Sequence, residues 1–172
     1  APAGGRMAPE ARVWLEHGEL DLVGRDEDLA SLASLAARSP LVTVLGPGGV
    51  GKTRLVSLWA ADRAEPVPVV PLAAEQTLPG AAQAVAAGLK VGTEGAPTPE
   101  ALLERTGRRW RGRTVVLDNL EQLEDAARIV APLLDAGVRI VATSRRPTGH
   151  PREQPLHLEP LSVEAGVALF GR

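Results

Sequence analysis

Leu41-Val42-Thr43-Val44-Leu45 runs directly into Gly46-Pro47-Gly48-Gly49-Val50-Gly51-Lys52-Thr53, and Arg54-Leu55-Val56 follows. The first five residues are apolar and β-rich, bounded by Pro40 and Gly46, and read as a buried strand. The next eight match G-x-x-x-x-G-K-[ST] in full. Beyond them Leu55, Val56, Leu58 and Trp59 recur at helical spacing, predicting a helix from Lys52 to about Arg63. Strand, glycine-rich turn and helix are the context in which that motif wraps an anion. Glycines let the backbone come close where a Cβ would block it. The loop N–H groups then point inward as a nest, and the helix N-terminus adds partial positive charge.

The chemistry this predicts is phosphate binding. Gly46, Gly48, Gly49, Val50 and Gly51 would form the cradle, with Arg54 on the first helical turn. Lys52 would neutralise the β- and γ-phosphates, and the Thr53 hydroxyl would be a Mg2+ ligand. Working outward, Asp26 to Arg38 carries Leu29, Leu32, Ala33, Leu35 and Ala36 on one helical face and stops at Ser39-Pro40. Val67 to Leu72 reads as a second strand whose prolines belong at its ends or on an edge. Leu78 to Lys90 reads as a helix. Thr98-Pro99-Glu100 opens another, running to about Trp110, with a capping threonine and Pro at the first helical position. Thr114 to Leu117 is a third strand ending in Asp118, followed by a helix expected over Leu120 to Asp135 with Gly137 as its C-cap. Val138 to Thr143 is a fourth strand and Leu156 to Leu158 a short fifth. Ser162 caps a last helix. Strands alternating with helices, several of them continuously apolar, predict an α/β fold with a parallel sheet covered on both faces.

An acid at the end of a buried strand lies in the crevice where open α/β sheets bind ligands, so Asp118 is a second Mg2+ ligand. The next residue is Asn119, whose amide cannot take a proton from an attacking water. Glu121 is the nearest acid and can be read either as the substitute or as a solvated first-turn carboxylate. If the fourth strand pairs beside the first, Thr143 and Arg145 face the γ-phosphate, where an arginine can report on nucleotide state. Arg146 reads as a surface residue. The predicted catalytic set is Lys52, Asp118, Glu121 and Arg145. Val23, Gly24 and Arg25 precede the first helix and could meet the adenine.

Composition narrows the rest. The 172 residues carry 19 basic against 21 acidic groups, and all but Lys52 and Lys90 of the basic ones are Arg. Near-neutral charge gives no reason for unspecific nucleic-acid binding over the whole surface. With no Cys there is no disulfide framework and no thiolate metal site. No apolar run reaches the roughly 18 residues of a membrane span, and residues 1–10 lack a signal-peptide layout. We therefore expect a cytoplasmic chain with no membrane partner. The stretch Arg105 to Arg113 holds five Arg and Trp110. It reads as the basic C-terminal end of a helix with Trp110 packed inward, or as a DNA-contacting patch. His17, His150 and His157 show no ligand spacing.

The set VGRDEDL, LVTVLGPGGVGKTRL, TVVLDNLEQL, RIVATSRRPTG and LHLEPLSVEAGVALF resembles the nucleotide-binding domain of STAND ATPases. These are NB-ARC-like relatives of AAA+ proteins, and the branch closest in pattern is that of bacterial AfsR-like and LuxR-type transcriptional regulators. The resemblance covers about Leu22 to Phe170. It implies a three-layer P-loop fold with five parallel strands in the order 5-1-4-3-2. It places Val23 and Arg25 near base and ribose, with Asp28 standing where the family has Glu. It further implies ATP and ADP as ligands with Mg2+, slow hydrolysis as a reset, and self-association in the ATP state of the full-length protein. DNA contact would pass through domains outside this chain. Residues 1–19 would be an arm and 20–172 the nucleotide-binding unit, with the family's winged-helix segment beyond Arg172. The competing readings are a P-loop phosphotransferase or a rapid-turnover ATPase. Against them, we find no second-substrate acid, no arginine lid, and no N-K-x-D stretch for guanine.

Overall fold

The computed structural model describes residues 25–160. Val23, Gly24, the arm, its boundary near residue 20 and the helix expected after Ser162 lie outside them.

Strand β1 (Leu41–Leu45) is buried along its whole length because it has strands on both sides and helices on both faces. Alternation splits its side chains between two cores. Leu41 joins the packing of α3 (Leu78–Gly88), α4 (Pro99–Arg109) and α5 (Ala127–Asp135). Val42 and Val44 join that of α1 (Asp26–Arg38) and α2 (Lys52–Ala61). The other central strands, β3 (Thr114–Asp118) and β4 (Arg139–Ser144), divide in the same way. Val115, Leu117, Ile140 and Ala142 face the first core, and Val116 and Val141 the second. This three-layer arrangement is what near-continuous apolar strands require.

With β2 (Val69–Pro71) and β5 (Glu153–His157), the sheet runs β2-β3-β4-β1-β5, all parallel. Read from the other edge, this is the expected order. The register sets Leu45 beside Ser144 and Pro71 beside Asp118, so Gly46, Asp118 and Arg145 emerge at one end of the sheet. Both edge strands carry a proline. On β2, Leu72 N donates to Asp118 O, so alternation turns the Pro71 nitrogen outward. On β5, Leu158 N donates to Leu45 O, which likewise turns the Pro155 nitrogen outward. Those are the positions where a missing N–H breaks no bond within the sheet.

Three elements differ from expectation. The second strand is only Val69–Pro71, cut short between Pro68 and Pro71. The fifth begins earlier, at Glu153, because it pairs along the whole of β1 from Leu41 onward. The helix expected over Leu120 to Asp135 is broken. A 3-10 turn covers Leu120–Gln122, and α5 starts only at Ala127. Arg146 is part of the reason: its Nη2 donates to the carbonyls of Glu121 (3.1 Å) and Leu123 (3.5 Å). A continuing helix would have used those carbonyls itself.

Capping follows the sequence closely. The Thr98 hydroxyl accepts from Ala101 N at 3.1 Å, and Gly137 takes φ 99° just past α5. Trp59 is buried in the second core, and Trp110 packs against the first with its Nε1 donating to Leu89 O.

Candidate functional site

The loop between β1 and α2 has the backbone its glycines were expected to supply. Gly49 and Gly51 take φ 80° and 101°, the left-handed region that other residues rarely adopt. A Cβ on either would meet nothing within 4 Å, so the space beside them is open. Gly46 is different. A Cβ there would lie 2.8 Å from Leu158 O and 2.9 Å from Val50 Cγ1, because the chain leaving β5 presses on the loop's first turn.

Lys52 begins α2 and is only 6% exposed. Its ammonium donates to Gly46 O (2.6 Å) and Pro47 O (2.9 Å). Burial holds its pKa below the usual lysine value. Glu121 raises it, Arg145 lowers it and Asp118 raises it, and the net shift is downward. A desolvated ammonium gains from an incoming anion and is favourable ground for one.

Asp118 is buried at the end of β3 and is held from three sides. Thr53 Oγ1 lies 3.0 Å from each of its carboxylate oxygens. Thr143 Oγ1 donates to Oδ1 at 2.5 Å, and Asn119 Nδ2 to Oδ2 at 3.2 Å. The Thr143 hydroxyl also accepts from Asn119 N at 2.8 Å. That bond fixes Asn119 in its left-handed conformation, φ 63°. No group of three or more His, Cys, Asp or Glu side chains able to hold a metal occurs among the described residues. One carboxylate and one hydroxyl, both oxygen donors, nevertheless fit Mg2+, which completes its shell from phosphates and water.

Glu121 and Arg145 face each other across the mouth of the site. Arg145 Nε lies 3.9 Å from Glu121 Oε1. The other Glu121 oxygen is buried without a hydrogen-bond partner. The Arg145 guanidinium also reaches over the loop, with Nη2 2.5 Å from where a Cβ on Gly48 would sit. Lys52, Thr53, Asp118, Glu121, Thr143 and Arg145 are thus brought together. Arg54 is half-buried on the first turn of α2.

Arg25 lies beside the loop but is engaged with protein groups. It donates to Val50 O (2.7 Å) and Glu159 O (2.8 Å), and pairs with Asp28 at 3.1 Å. The Arg105–Arg113 stretch is likewise partly engaged. Arg105 donates to Gly92 O and Glu94 O, Arg111 to Ala136 O, and Arg113 stacks on Trp110 at 4.4 Å. Arg146 is exposed, as expected, yet with Thr148 and Glu153, which no motif singles out, it organises the loop after β4.

Two solved structures share this architecture. One is a signal transduction ATPase with numerous domains (STAND) carrying a tetratricopeptide repeat sensor, from Pyrococcus horikoshii. It matches 86% of this chain and 24% of its own at 18% identity, with TM-score 0.59. The other is a Walker-type ATPase of Pyrococcus abyssi, matching 90% of this chain and 58% of its own at 16% identity, with TM-score 0.57. The fold is that of a P-loop ATPase. At such identities the likeness extends to the fold and no further.

By sequence the chain is 37% identical over 148 residues, 81% of its length, to a provisionally named HTH-type transcriptional regulator of Mycobacterium tuberculosis strain H37Rv. A counterpart in Mycobacterium bovis matches equally. The chain spans 16% of the length of these relatives. No protein-family model matches it. The resemblance drawn from the motifs therefore stands on both sides: STAND and Walker-type ATPases in fold, and transcriptional regulators in sequence. No helix among the described residues is long and apolar enough to cross a membrane.

Proposed function

We propose that this chain is the ATP/ADP-binding switch unit of a STAND-type regulatory ATPase, within a bacterial transcriptional regulator. The observation that carries this reading is the Thr53–Asp118 pair. It joins residues 65 apart at the mouth of a glycine loop with a buried lysine behind it. The loop amides and Lys52 bind the phosphates, and Thr53 and Asp118 hold Mg2+. When bound, that ion neutralises charge developing on the phosphate oxygens. Thr143 and Asn119 keep Asp118 aimed by donating to its two oxygens. Arg145 reads the γ-phosphate, and Arg25 braces the loop through Val50 O. In the larger protein, DNA contact and ATP-dependent self-association are the outputs.

Hydrolysis is slow in this reading for a structural reason. Asn119 faces Asp118 as a donor and cannot accept a proton. Glu121 is the nearest acid and the group that can take one from water.

The test begins by denaturing the purified protein, identifying the nucleotide released, and following single-turnover ATP hydrolysis. Tightly held ADP with very slow turnover is expected, and Lys52→Ala abolishes tight binding. Glu121→Gln slows the remaining hydrolysis by about 100-fold, the scale of a lost general base. No bound nucleotide with turnover of about 1–100 s⁻¹ would refute the switch. Unchanged affinity in Lys52→Ala would refute the loop assignment.

A further inference from the structure

Arg145 is the most exposed charged group of the site, with 62% of its side chain open to solvent. Packing does not hold a side chain so exposed, so its aim depends on the backbone that carries it. That backbone is the loop 145–152 between β4 and β5, which contains Pro147, Gly149 and Pro151. Its near end is tied by Arg146 to Glu121 O and Leu123 O. Its middle is tied at one atom. Glu153 Oε2 accepts from Thr148 N (2.9 Å), Thr148 Oγ1 (2.6 Å) and Thr43 Oγ1 (2.6 Å).

Thr43 is the decisive partner. It is fully buried in β1, the strand that delivers the phosphate loop at Gly46. One carboxylate oxygen thus joins the strand under the phosphates to the loop that carries Arg145. On the proposed nucleotide-switch reading, we infer that Glu153 is a positioning residue for Arg145. It fixes the arginine loop against the phosphate loop and so sets the discrimination between a nucleoside triphosphate and a diphosphate. On that same reading Arg145 serves the γ-phosphate, which a diphosphate lacks, so it assists a diphosphate little. An error in loop position therefore falls on the triphosphate alone. The carboxylate is suited to the task because it stays charged. Burial alone would raise its pKa, but hydrogen bonds from Thr148, Thr43 and the Thr148 and Gly149 amides outweigh that and hold it below the usual range. Charge-assisted bonds of this kind are short and strongly directional.

The experiment measures dissociation constants of the 172-residue chain for ADP and for a non-hydrolysable imido analogue of ATP. Both are measured in the parent, Glu153→Ala, Glu153→Gln, Arg145→Ala and the Glu153→Ala/Arg145→Ala double variant. Glu153→Ala is expected to weaken the ATP analogue about tenfold and ADP less than about twofold, the scale of a lost charge-assisted hydrogen bond. Glu153→Gln, which keeps an acceptor oxygen, recovers part of the loss. In the Arg145→Ala background, Glu153→Ala has no further effect on the ratio, as expected of two residues acting through one contact.

Equal losses for both nucleotides, or full additivity in the double variant, would overturn the inference and leave Glu153 as a fold element only. If Glu153→Ala does not fold, Thr148→Val gives the same reading, since it removes one donor and leaves the carboxylate in place. A shift in its ATP-to-ADP ratio supports the inference and an unmoved ratio refutes it. A parent chain that binds neither nucleotide would defeat the switch reading and this inference together. A parent that binds both, with no variant moving the ratio, would defeat this inference alone.

Discussion

Gly46 and Gly48 stand two residues apart in one loop, yet the surroundings of each assign them different costs. A methyl on Gly46 meets the Leu158 carbonyl at 2.8 Å and Val50 at 2.9 Å. The carbonyl belongs to backbone that cannot step aside. Gly46→Ala should lose about 1–3 kcal/mol of stability, as overpacked sites do. A methyl on Gly48 meets the far end of Arg145, a flexible side chain. Gly48→Ala should change stability by no more than about 0.5 kcal/mol while displacing the arginine from its place over the loop. Urea unfolding of both variants, with binding of ADP and an ATP analogue, separates the two. Comparable destabilisation in both would mean that Arg145 is held more rigidly over Gly48 than its exposure implies.

Among the elements, α4 packs tightly on the end of α5 at Gly107, where an added Cβ would lie 2.6 Å from Ala136 Cβ and 3.4 Å from Leu133 Cα. Gly107→Ala should therefore cost about 1–3 kcal/mol by forcing the helices apart, with nucleotide affinity unchanged because the contact is remote from the phosphate loop. A neutral effect in denaturant unfolding would contradict that packing. How much of such detail is legible in a sequence depends on the range of the forces. The strand–loop–helix unit around Gly46 to Thr53 is local: its periodicity and glycines lie within one stretch, and it reads correctly. So does the Thr98 cap, which bonds three residues ahead. The break after Asp118 does not. Leu120 and Leu123 suit a helix, and the group that takes the carbonyls there is Arg146, 25 residues away from Glu121. Glu153 was equally hidden. It sits in a short polar strand, and its significance rests on Thr43, 110 residues away.

Over the whole molecule, Glu153 links stability to pH. Its carboxyl is held below the usual range in the folded chain, so it contributes stability that is complete above the unfolded value of about 4.3. That contribution is lost as pH falls through the lower folded value. In urea titrations at a series of pH values, the parent midpoint should fall on the acid side below about pH 4.3. Glu153→Gln should flatten part of that fall, and an acid limb parallel to the parent's would exclude the residue as a source. The two outward prolines have a consequence of another kind. A sheet grows by offering unpaired amides to a passing strand, and an open edge is a standing risk of aggregation. Here Pro71 and Pro155 remove a donor from each border. A second molecule approaching edge-on finds a gap in the ladder at either side, so the sheet is a poor seed for its own extension.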